Sequence, residues 1–225
     1  MSESQATVYV VDDKADVRES IGCLCEEVGL NVKLFASPEE FLEKYLRNGP
    51  SCLVLDIRFP GTSATGLELQ NILASSGNPI PIVFISAHAD VRTSVEAMKR
   101  GAVEFLPKPF REQELLDAIR FGLERDRSRR SREHALREVK VLIEALTARE
   151  HEIMLLMAEG LLAKQIAARL RVSEVTVKAH RIRVMRKLKL RSPIEVARLV
   201  DSVSAGGACI IPRGVAQHSI ASACA

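Results

Sequence analysis

Residues 52–61 read CLVLDIRFPG, a short apolar run that ends in the carboxylate of Asp56 and then turns at Pro60 and Gly61. The aliphatic run predicts a strand that is buried on both faces, as in a parallel sheet covered by helices. Ligands of open α/β sheets bind at the carboxyl ends of such strands. We therefore expect Asp56 to lie at the functional edge of a sheet.

Four more apolar runs, each followed by a helical pattern, surround this strand in the sequence. They cover residues 7–11, 32–35, 80–86 and 102–106. Helix starts are marked by capping residues, such as Ser37 followed by Pro38 and Glu40, and Asp90 before the fourth helix. Five strand–helix units in succession predict a five-stranded, doubly wound parallel α/β sheet, because short alternation of this kind leaves few other topologies.

Polar residues follow four of these strands at the point where each strand ends. Asp12 and Asp13 follow the first strand, Asp56 ends the third, Ser86 ends the fourth and Lys108 follows the fifth. A single aspartate at a strand end is more often a helix cap or a turn residue. The whole set of five is hard to explain in that way, and the carboxyl ends of parallel strands meet at one edge of the sheet.

The chemistry of this set is that of phosphoryl transfer to a carboxylate. Clustered carboxylates repel one another, so a cation must compensate them, and Mg²⁺ prefers oxygen ligands and keeps waters that a phosphate can replace. Lys108 adds a positive charge and Ser86 a hydroxyl donor. The set predicts that Asp56 accepts a phosphoryl group while Mg²⁺ neutralises the transferred charge.

Charge divides the 225-residue chain into an acidic front and a basic back. Residues 1–124 carry 12 basic and 19 acidic side chains, and residues 125–225 carry 20 and 10, which together give the net charge of +3. This asymmetry predicts two domains, the second of which meets a polyanion. With no long apolar segment, no signal peptide and five scattered cysteines, the sequence predicts a cytoplasmic protein without membrane contact.

A charged run over residues 124–133 follows the last predicted helix of the sheet domain. Such a run is more often a solvated helix or linker than a direct phosphate contact. Leu136, Val139, Ile143 and Leu146 then recur at helical spacing. This short stripe leaves two alternatives open, a linker helix that forms a dimer and a helix that packs on its own domain.

The basic half has the outline of a helix-turn-helix. Thr147 and Glu150 form a capping box, a short helix follows from residue 163, and Ser173 caps a strongly basic helix over residues 174–188. On that helix we expect Val177, Val184 and Leu188 to face inward and the cations Lys178, Arg181, Arg183, Arg186 and Lys187 to face outward. A helix of this charge suits phosphates and the major groove, although a merely soluble basic helix is an alternative.

Residues 7–123 resemble the receiver domain of bacterial two-component response regulators. The matching motifs are VVDD at 10–13, LDIRFP at 55–60, ISA at 85–87 and FLPKPF at 105–110. The resemblance implies a flavodoxin-like fold in which Asp56 is the phosphoacceptor. One departure is that Gly66 follows Asp56 by ten positions, about two more than is usual in the family.

The resemblance also implies roles for the residues around the phosphoacceptor. Asp12, Asp13 and Asp56 would hold Mg²⁺ together with the backbone carbonyl of Arg58. Ser86 and Lys108 would bind the phosphoryl oxygens, and Phe105 would change rotamer when Ser86 is drawn towards the phosphoryl group. The peptide bond between Lys108 and Pro109 would be cis.

The basic half resembles the LuxR-type helix-turn-helix, which joined to a receiver gives a response regulator of the NarL/FixJ kind. The motifs are LTARE at 146–150, KQIA at 164–167 and VSEVTVKAH at 172–180. By this resemblance Lys178, Ala179 and Ile182 face base edges. Phosphates or the rim of the groove would be contacted by Thr176, His180, Arg181 and Arg183. With no other metal ligand near it, His180 is better explained by DNA contact or packing than by metal binding.

These observations divide the chain into a receiver over 1–123, a linker helix over 124–145, a four-helix all-α helix-turn-helix domain over 146–202 and a disordered tail over 203–225. They predict a transcriptional regulator that a cognate sensor histidine kinase phosphorylates and that binds double-stranded DNA with two half-sites as a homodimer. We expect no enzyme activity beyond self-phosphorylation and self-dephosphorylation. Two alternatives are an aspartate-based phosphohydrolase of the haloacid-dehalogenase kind and a DNA binder with a vestigial receiver.

Overall fold

The computed structural model describes residues 6–46, 48–60, 65–77, 79–87 and 90–205. The chain divides between Ser131 and Arg132 into two compact units, which we call the sheet unit and the helical unit. Most of the tail predicted to be disordered, residues 206–225, lies outside the described residues.

The sheet unit contains a five-stranded parallel sheet in the order β2-β1-β3-β4-β5. Its strands are β1 (Thr7–Val11), β2 (Asn31–Phe35), β3 (Ser51–Asp56), β4 (Ile82–Ser86) and β5 (Glu104–Pro107). The helices are α1 (Ala15–Glu27), α2 (Pro38–Lys44), α3 (Gly66–Ser75), α4 (Val91–Lys99) and the first part of α5 (Glu112–Glu144), whose residues after Ser131 belong to the helical unit. The predicted doubly wound topology is confirmed. Strands β4 and β5 each begin two residues later than the apolar runs suggested.

Two apolar layers enclose the sheet because successive side chains of a strand point to opposite faces. Cys52 and Val54 of β3 belong to a layer formed with α1 and α5. Leu53 and Leu55 belong to the opposite layer, which α2, α3 and α4 cover. All six residues of β3 are buried, as the sequence predicted for a central strand.

The predicted helix starts are confirmed by their hydrogen bonds. The hydroxyl of Ser37 accepts from the amide of Glu40 at 3.2 Å, and the carboxylate of Asp90 accepts from the amide of Thr93 at 2.8 Å. At each of these starts, a side chain satisfies a backbone amide that has no partner within the helix.

Helix α5 is continuous over its 33 residues, with no break between the predicted last receiver helix and the predicted linker helix. Neither this helix nor any other in the described part of the chain is long and apolar enough to cross a membrane. Of the stripe at 136–146, Ile143 is buried in the core of the helical unit, and Val139 and Leu146 pack against that core. Three of the four stripe residues therefore pack within their own unit.

The charged run on α5 is not solvated throughout, which corrects the sequence-based expectation. The side chain of Asp126 is fully buried. Its carboxylate accepts from the backbone amide of Ser51 at 3.0 Å and from Nε of Arg130 at 2.6 Å, and it also pairs with Arg129. Asp126 thus fastens α5 to the first residue of β3. A buried carboxylate is tolerated because these donors compensate its charge.

The helical unit contains four further helices after the end of α5. They are α6 (Ala148–Ala158), α7 (Ala163–Leu170), α8 (Glu174–Lys187) and α9 (Pro193–Ala205). Val177, Val184 and Leu188 point into its core, as predicted. Helix α9 runs past the predicted end of the domain, and Val203 is fully buried. The assignment of residue 203 to a disordered tail is therefore wrong, because its side chain completes the core.

We predict that Asp126→Ala lowers the free energy of unfolding of the sheet unit by about 2–4 kcal/mol. The amide of Ser51 and two guanidinium groups lose their acceptor, and buried groups left unpaired are costly. The matched control is Asp117→Ala on the same helix, where the side chain is 62% exposed, with an expected change below about 0.5 kcal/mol. Denaturant unfolding followed by circular dichroism measures both. Equal midpoints for the two variants would contradict the anchoring role.

Candidate functional site

The polar residues singled out at the strand ends meet at one edge of the sheet. Asp56 and Ser86 are the last residues of β3 and β4, and Asp12 directly follows β1. These three side chains are buried, while Asp13 and Lys108 are half-buried. The parallel order of the strands brings them together, since all their carboxyl ends lie on the same side.

Lys108 links two of the carboxylates directly. Its Nζ lies 2.6 Å from Oδ2 of Asp12 and 2.8 Å from Oδ2 of Asp56. The backbone amide of Lys108 donates to the carbonyl oxygen of Ser86 at 2.7 Å, which fixes the end of β5 beside β4. The bond between Lys108 and Pro109 is cis, as the family resemblance implied. The two carboxylates and the backbone hydrogen bond to Ser86 together fix the position of the Lys108 ammonium group.

The electrostatics of the site favour a further cation. Asp12, Asp13 and Asp56 each offer a carboxylate oxygen, and these oxygens lie within 4.8 Å of one another. Burial raises the pKa of Asp12, although hydrogen bonds from Lys108 and the amide of Lys14 oppose that rise. Burial lowers the pKa of Lys108, but its hydrogen bonds with Asp12 and Asp56 outweigh this and raise it. Oxygen donors crowded in this way fit Mg²⁺.

Two predicted roles beside the phosphoacceptor are compatible with the structure but stay predictions. The amide of Arg58 lies 3.4 Å from Oδ1 of Asp56, so the backbone that would supply the fourth metal ligand runs next to the carboxylate. Phe105 is half-buried on β5, and its ring centroid lies 6.5 Å from that of Phe84. Phe105, which is predicted to change rotamer, therefore lies on the strand next to the one that ends in Ser86.

Gly66 packs directly on the backbone of Asp56, the predicted phosphoacceptor, despite the longer loop. Its amide donates to the carbonyl oxygen of Ile57 at 2.9 Å. A Cβ at this position would lie 2.3 Å from the carbonyl oxygen of Asp56, so only glycine fits. The intervening residues 61–64 lie outside the described residues. The shifted glycine therefore retains a close approach to the site.

The predicted DNA-contacting residues on α8 differ in exposure. Thr176, Lys178, Ala179, Ile182 and Arg183 are exposed. The amide of Thr176 donates to the capping hydroxyl of Ser173 at 3.1 Å.

His180 and Arg181 are only half-exposed, on the flanks of α8. Nδ1 of His180 is buried and has no hydrogen-bond partner within the described residues. These two side chains therefore lie closer to the core of the unit than the other five.

Lys187 corrects the expectation that all the cations of α8 face outward. Its Nζ lies 2.6 Å from Oε2 of Glu150 and 3.1 Å from the carbonyl oxygen of Ala145. Glu150 also forms the predicted capping box with Thr147 at the start of α6. The hydrogen bond from Lys187 is the main cause that lowers the pKa of Glu150 to about 2. Lys187 therefore holds α8 to α6.

The structure gives three residues roles that the sequence did not predict. Asp126 and Glu150 are buried carboxylates whose partners Ser51 and Lys187 lie far away in the sequence, although the capping box of Glu150 with Thr147 was expected. Val175 is 77% exposed on α8, although it is aliphatic. Only the last had a local signal, because its spacing from Val177 and Val184 places it on the outward side of the helix.

Comparison with known families assigns both units. Residues 8–120 match the response regulator receiver domain, and residues 144–200 match the bacterial regulatory proteins of the luxR family. The first match spans the sheet with all its strand-end residues. The second spans α6, α7 and α8 together with most of α9.

Curated relatives share the whole arrangement. Nodulation protein W of Bradyrhizobium diazoefficiens is 45% identical over 202 residues, covering 90% of this chain and 88% of that protein. The response regulator protein TodT of Pseudomonas putida is 41% identical over 201 residues, covering 89% and 88%.

Solved structures agree with these relatives. The response regulator StyR is 45% identical with a TM-score of 0.79, covering 88% of this chain and 99% of that chain. Full-length FixJ from B. japonicum is 31% identical with a TM-score of 0.53, covering 90% and 98%. The chain therefore belongs to the bacterial response regulators in which a receiver domain is joined to a LuxR-type DNA-binding domain.

Proposed function

We propose that a cognate sensor histidine kinase phosphorylates this protein on Asp56 and that phosphorylation controls its binding to promoter DNA. The observation that carries the proposal is the contact of Lys108 with both Asp12 and Asp56, beside the third carboxylate of Asp13. A purely structural aspartate at a strand end needs neither a half-buried ammonium partner nor two further carboxylates.

In the proposed reaction, a carboxylate oxygen of Asp56 attacks the phosphorus of the phosphohistidine. A new bond forms between that oxygen and phosphorus while the bond from phosphorus to the histidine nitrogen breaks, leaving an acyl phosphate. Lys108 is close enough to bind a phosphoryl oxygen, and Ser86 ends the adjacent strand with its hydroxyl. Mg²⁺, held by Asp12, Asp13, Asp56 and the carbonyl of Arg58, would neutralise charge on the transferred group.

In this proposal, phosphorylation of Asp56 changes the arrangement of side chains on β4 and β5. A phosphoryl group on Asp56 competes for Lys108 and attracts the hydroxyl of Ser86, which changes the space available to Phe105. Two arrangements of these side chains with different energies are enough to shift a population between inactive and active states. In its active state, the protein binds double-stranded promoter DNA in the cytoplasm as a homodimer. Each copy contacts one of two half-sites.

The phosphohydrolase alternative receives no support from the arrangement of the site. In haloacid-dehalogenase-like enzymes the nucleophile ends the first strand, whereas Asp56 ends β3 and the paired carboxylates follow β1. A vestigial receiver is also not favoured, because the carboxylates, the lysine, the hydroxyl and the close glycine are all present around Asp56. These features support a working phosphoacceptor.

We predict that acetyl phosphate or a partner kinase labels the wild type in the presence of Mg²⁺ and that Asp56→Asn abolishes labelling. The side-chain amide of asparagine has nearly the shape of the aspartate carboxylate but is not a nucleophile. Removal of Mg²⁺ with EDTA should suppress labelling of the wild type as well. The control Asp117→Asn, on the exposed side of α5, should label normally. Equal labelling of wild type and Asp56→Asn would rule out the acceptor assignment.

We predict that DNA affinity falls steeply with salt and that Lys178→Ala weakens it by about tenfold, since cations at the groove displace counterions and can contact base edges. Lys178 is exposed and has only a surface ion pair with Glu174, at 3.0 Å, to give up on binding. Fluorescence anisotropy over a range of salt concentrations measures both effects. The control is Lys33→Ala on β2, an exposed lysine of the sheet unit. A flat salt response would contradict the DNA-binding role.

A further inference from the structure

The outward side of α8 carries a row of apolar side chains. Val175 is 77% exposed and Ile182 is 68% exposed, and Ala179 between them is also exposed. With about 100° of rotation per residue, all three lie opposite Val177 and Val184, which are fully buried. The row therefore contributes nothing to the core of the helical unit.

Isolated apolar residues on a surface are ordinary, but this row is not isolated. Its members recur at four- and three-residue steps along one line of the helix, so their side chains are neighbours. Exposed cations lie on both sides of the line and at its end, namely Lys178, Arg183 and Arg186. An apolar line between cations suits a polyanion that also presents apolar groups to a helix.

Double-stranded DNA provides that combination in its major groove. The phosphates lie on either side of the groove, and the 5-methyl group of thymine is the apolar group among the base edges at its floor. A protein partner for the same line would need an apolar strip with acidic rims. The charge around the line and its place on the second helix of a helix-turn-helix favour DNA.

We propose that Val175 and Ile182 each contact the methyl group of a thymine, so that this protein selects half-sites by the positions of two thymines. The proposal rests on the DNA-binding role proposed above. The two residues are seven positions apart, which is about 10 Å along a helix axis. That distance corresponds to about three base-pair steps at 3.4 Å each. Ala179, with its shorter side chain, leaves room for the bases between them.

Replacing thymine by deoxyuridine tests this directly, because it removes the methyl group and leaves every hydrogen-bonding group in place. Duplexes are first selected from a randomised pool with the full-length protein in acetyl phosphate and Mg²⁺. Each thymine of the selected half-site is then replaced in turn, and the affinities are measured. We expect two positions at which the substitution weakens binding by about three- to fivefold, the effect of burying one methyl group.

The variants identify which side chain senses which methyl group. Ile182→Ala should lose the discrimination between thymine and deoxyuridine at one position, and Val175→Ala at the other. Ile194→Ala is the matched control, since Ile194 is 67% exposed on α9 of the same unit, and it should retain both discriminations. Arg183→Ala should weaken binding to all duplexes without changing the ratio between them.

Three outcomes would overturn the inference. If binding is strongly salt-dependent but no deoxyuridine substitution weakens it, the proposed thymine contacts are wrong while the DNA-binding role stands. If either variant keeps full discrimination at both positions, the assignment of that side chain is wrong. If the protein selects no duplex from the pool in any salt, the inference falls together with the DNA-binding role.

Discussion

The contact of the Lys108 ammonium group with both Asp12 and Asp56 is the interaction on which the proposed phosphoryl site depends. Three carboxylate oxygens within 4.8 Å of one another repel each other strongly at a partly buried edge. Burial raises the pKa of Asp12, and the hydrogen bond from Lys108 is the largest effect that opposes this rise. Because β1 pairs with β3, β3 with β4 and β4 with β5, the sheet brings Asp12, Asp56 and Lys108 to one place. The parallel sheet therefore places the Lys108 ammonium group in contact with the carboxylates of Asp12 and Asp56.

The strand that carries Asp56, the proposed phosphoacceptor, is held at both ends. At its carboxyl end, Asp56 contacts Lys108, and Gly66 packs against its backbone. At its amino end, the amide of Ser51 donates to the buried carboxylate of Asp126 on α5. The central strand that ends in the proposed phosphoacceptor is thus held by side-chain or backbone contacts at its first and last residues.

Local patterns predicted the sheet and the residues at its edge, whereas contacts between distant residues escaped them. The run that ends in Asp56 carries its own hydrophobic pattern, and caps such as Ser37 satisfy amides only three residues away. By contrast, Asp126 and Ser51 are 75 positions apart, and Lys187 and Glu150 are 37 apart. Periodicity describes which side of a helix a residue occupies but not which partner it meets, so the sequence predicts solvated positions for Asp126 and Lys187 and gives no sign of their buried partners Ser51 and Glu150.

We propose that the phosphoryl state of Asp56 sets the affinity of the LuxR-type domain for DNA. The most direct test of this proposal is the dissociation constant of the full-length protein for a selected duplex, measured with and without acetyl phosphate in Mg²⁺, for the wild type and for Asp56→Asn. We expect the phosphodonor to lower the dissociation constant of the wild type and to leave that of Asp56→Asn unchanged. Equal affinity of the wild type under both conditions would contradict the proposal and would indicate a vestigial receiver.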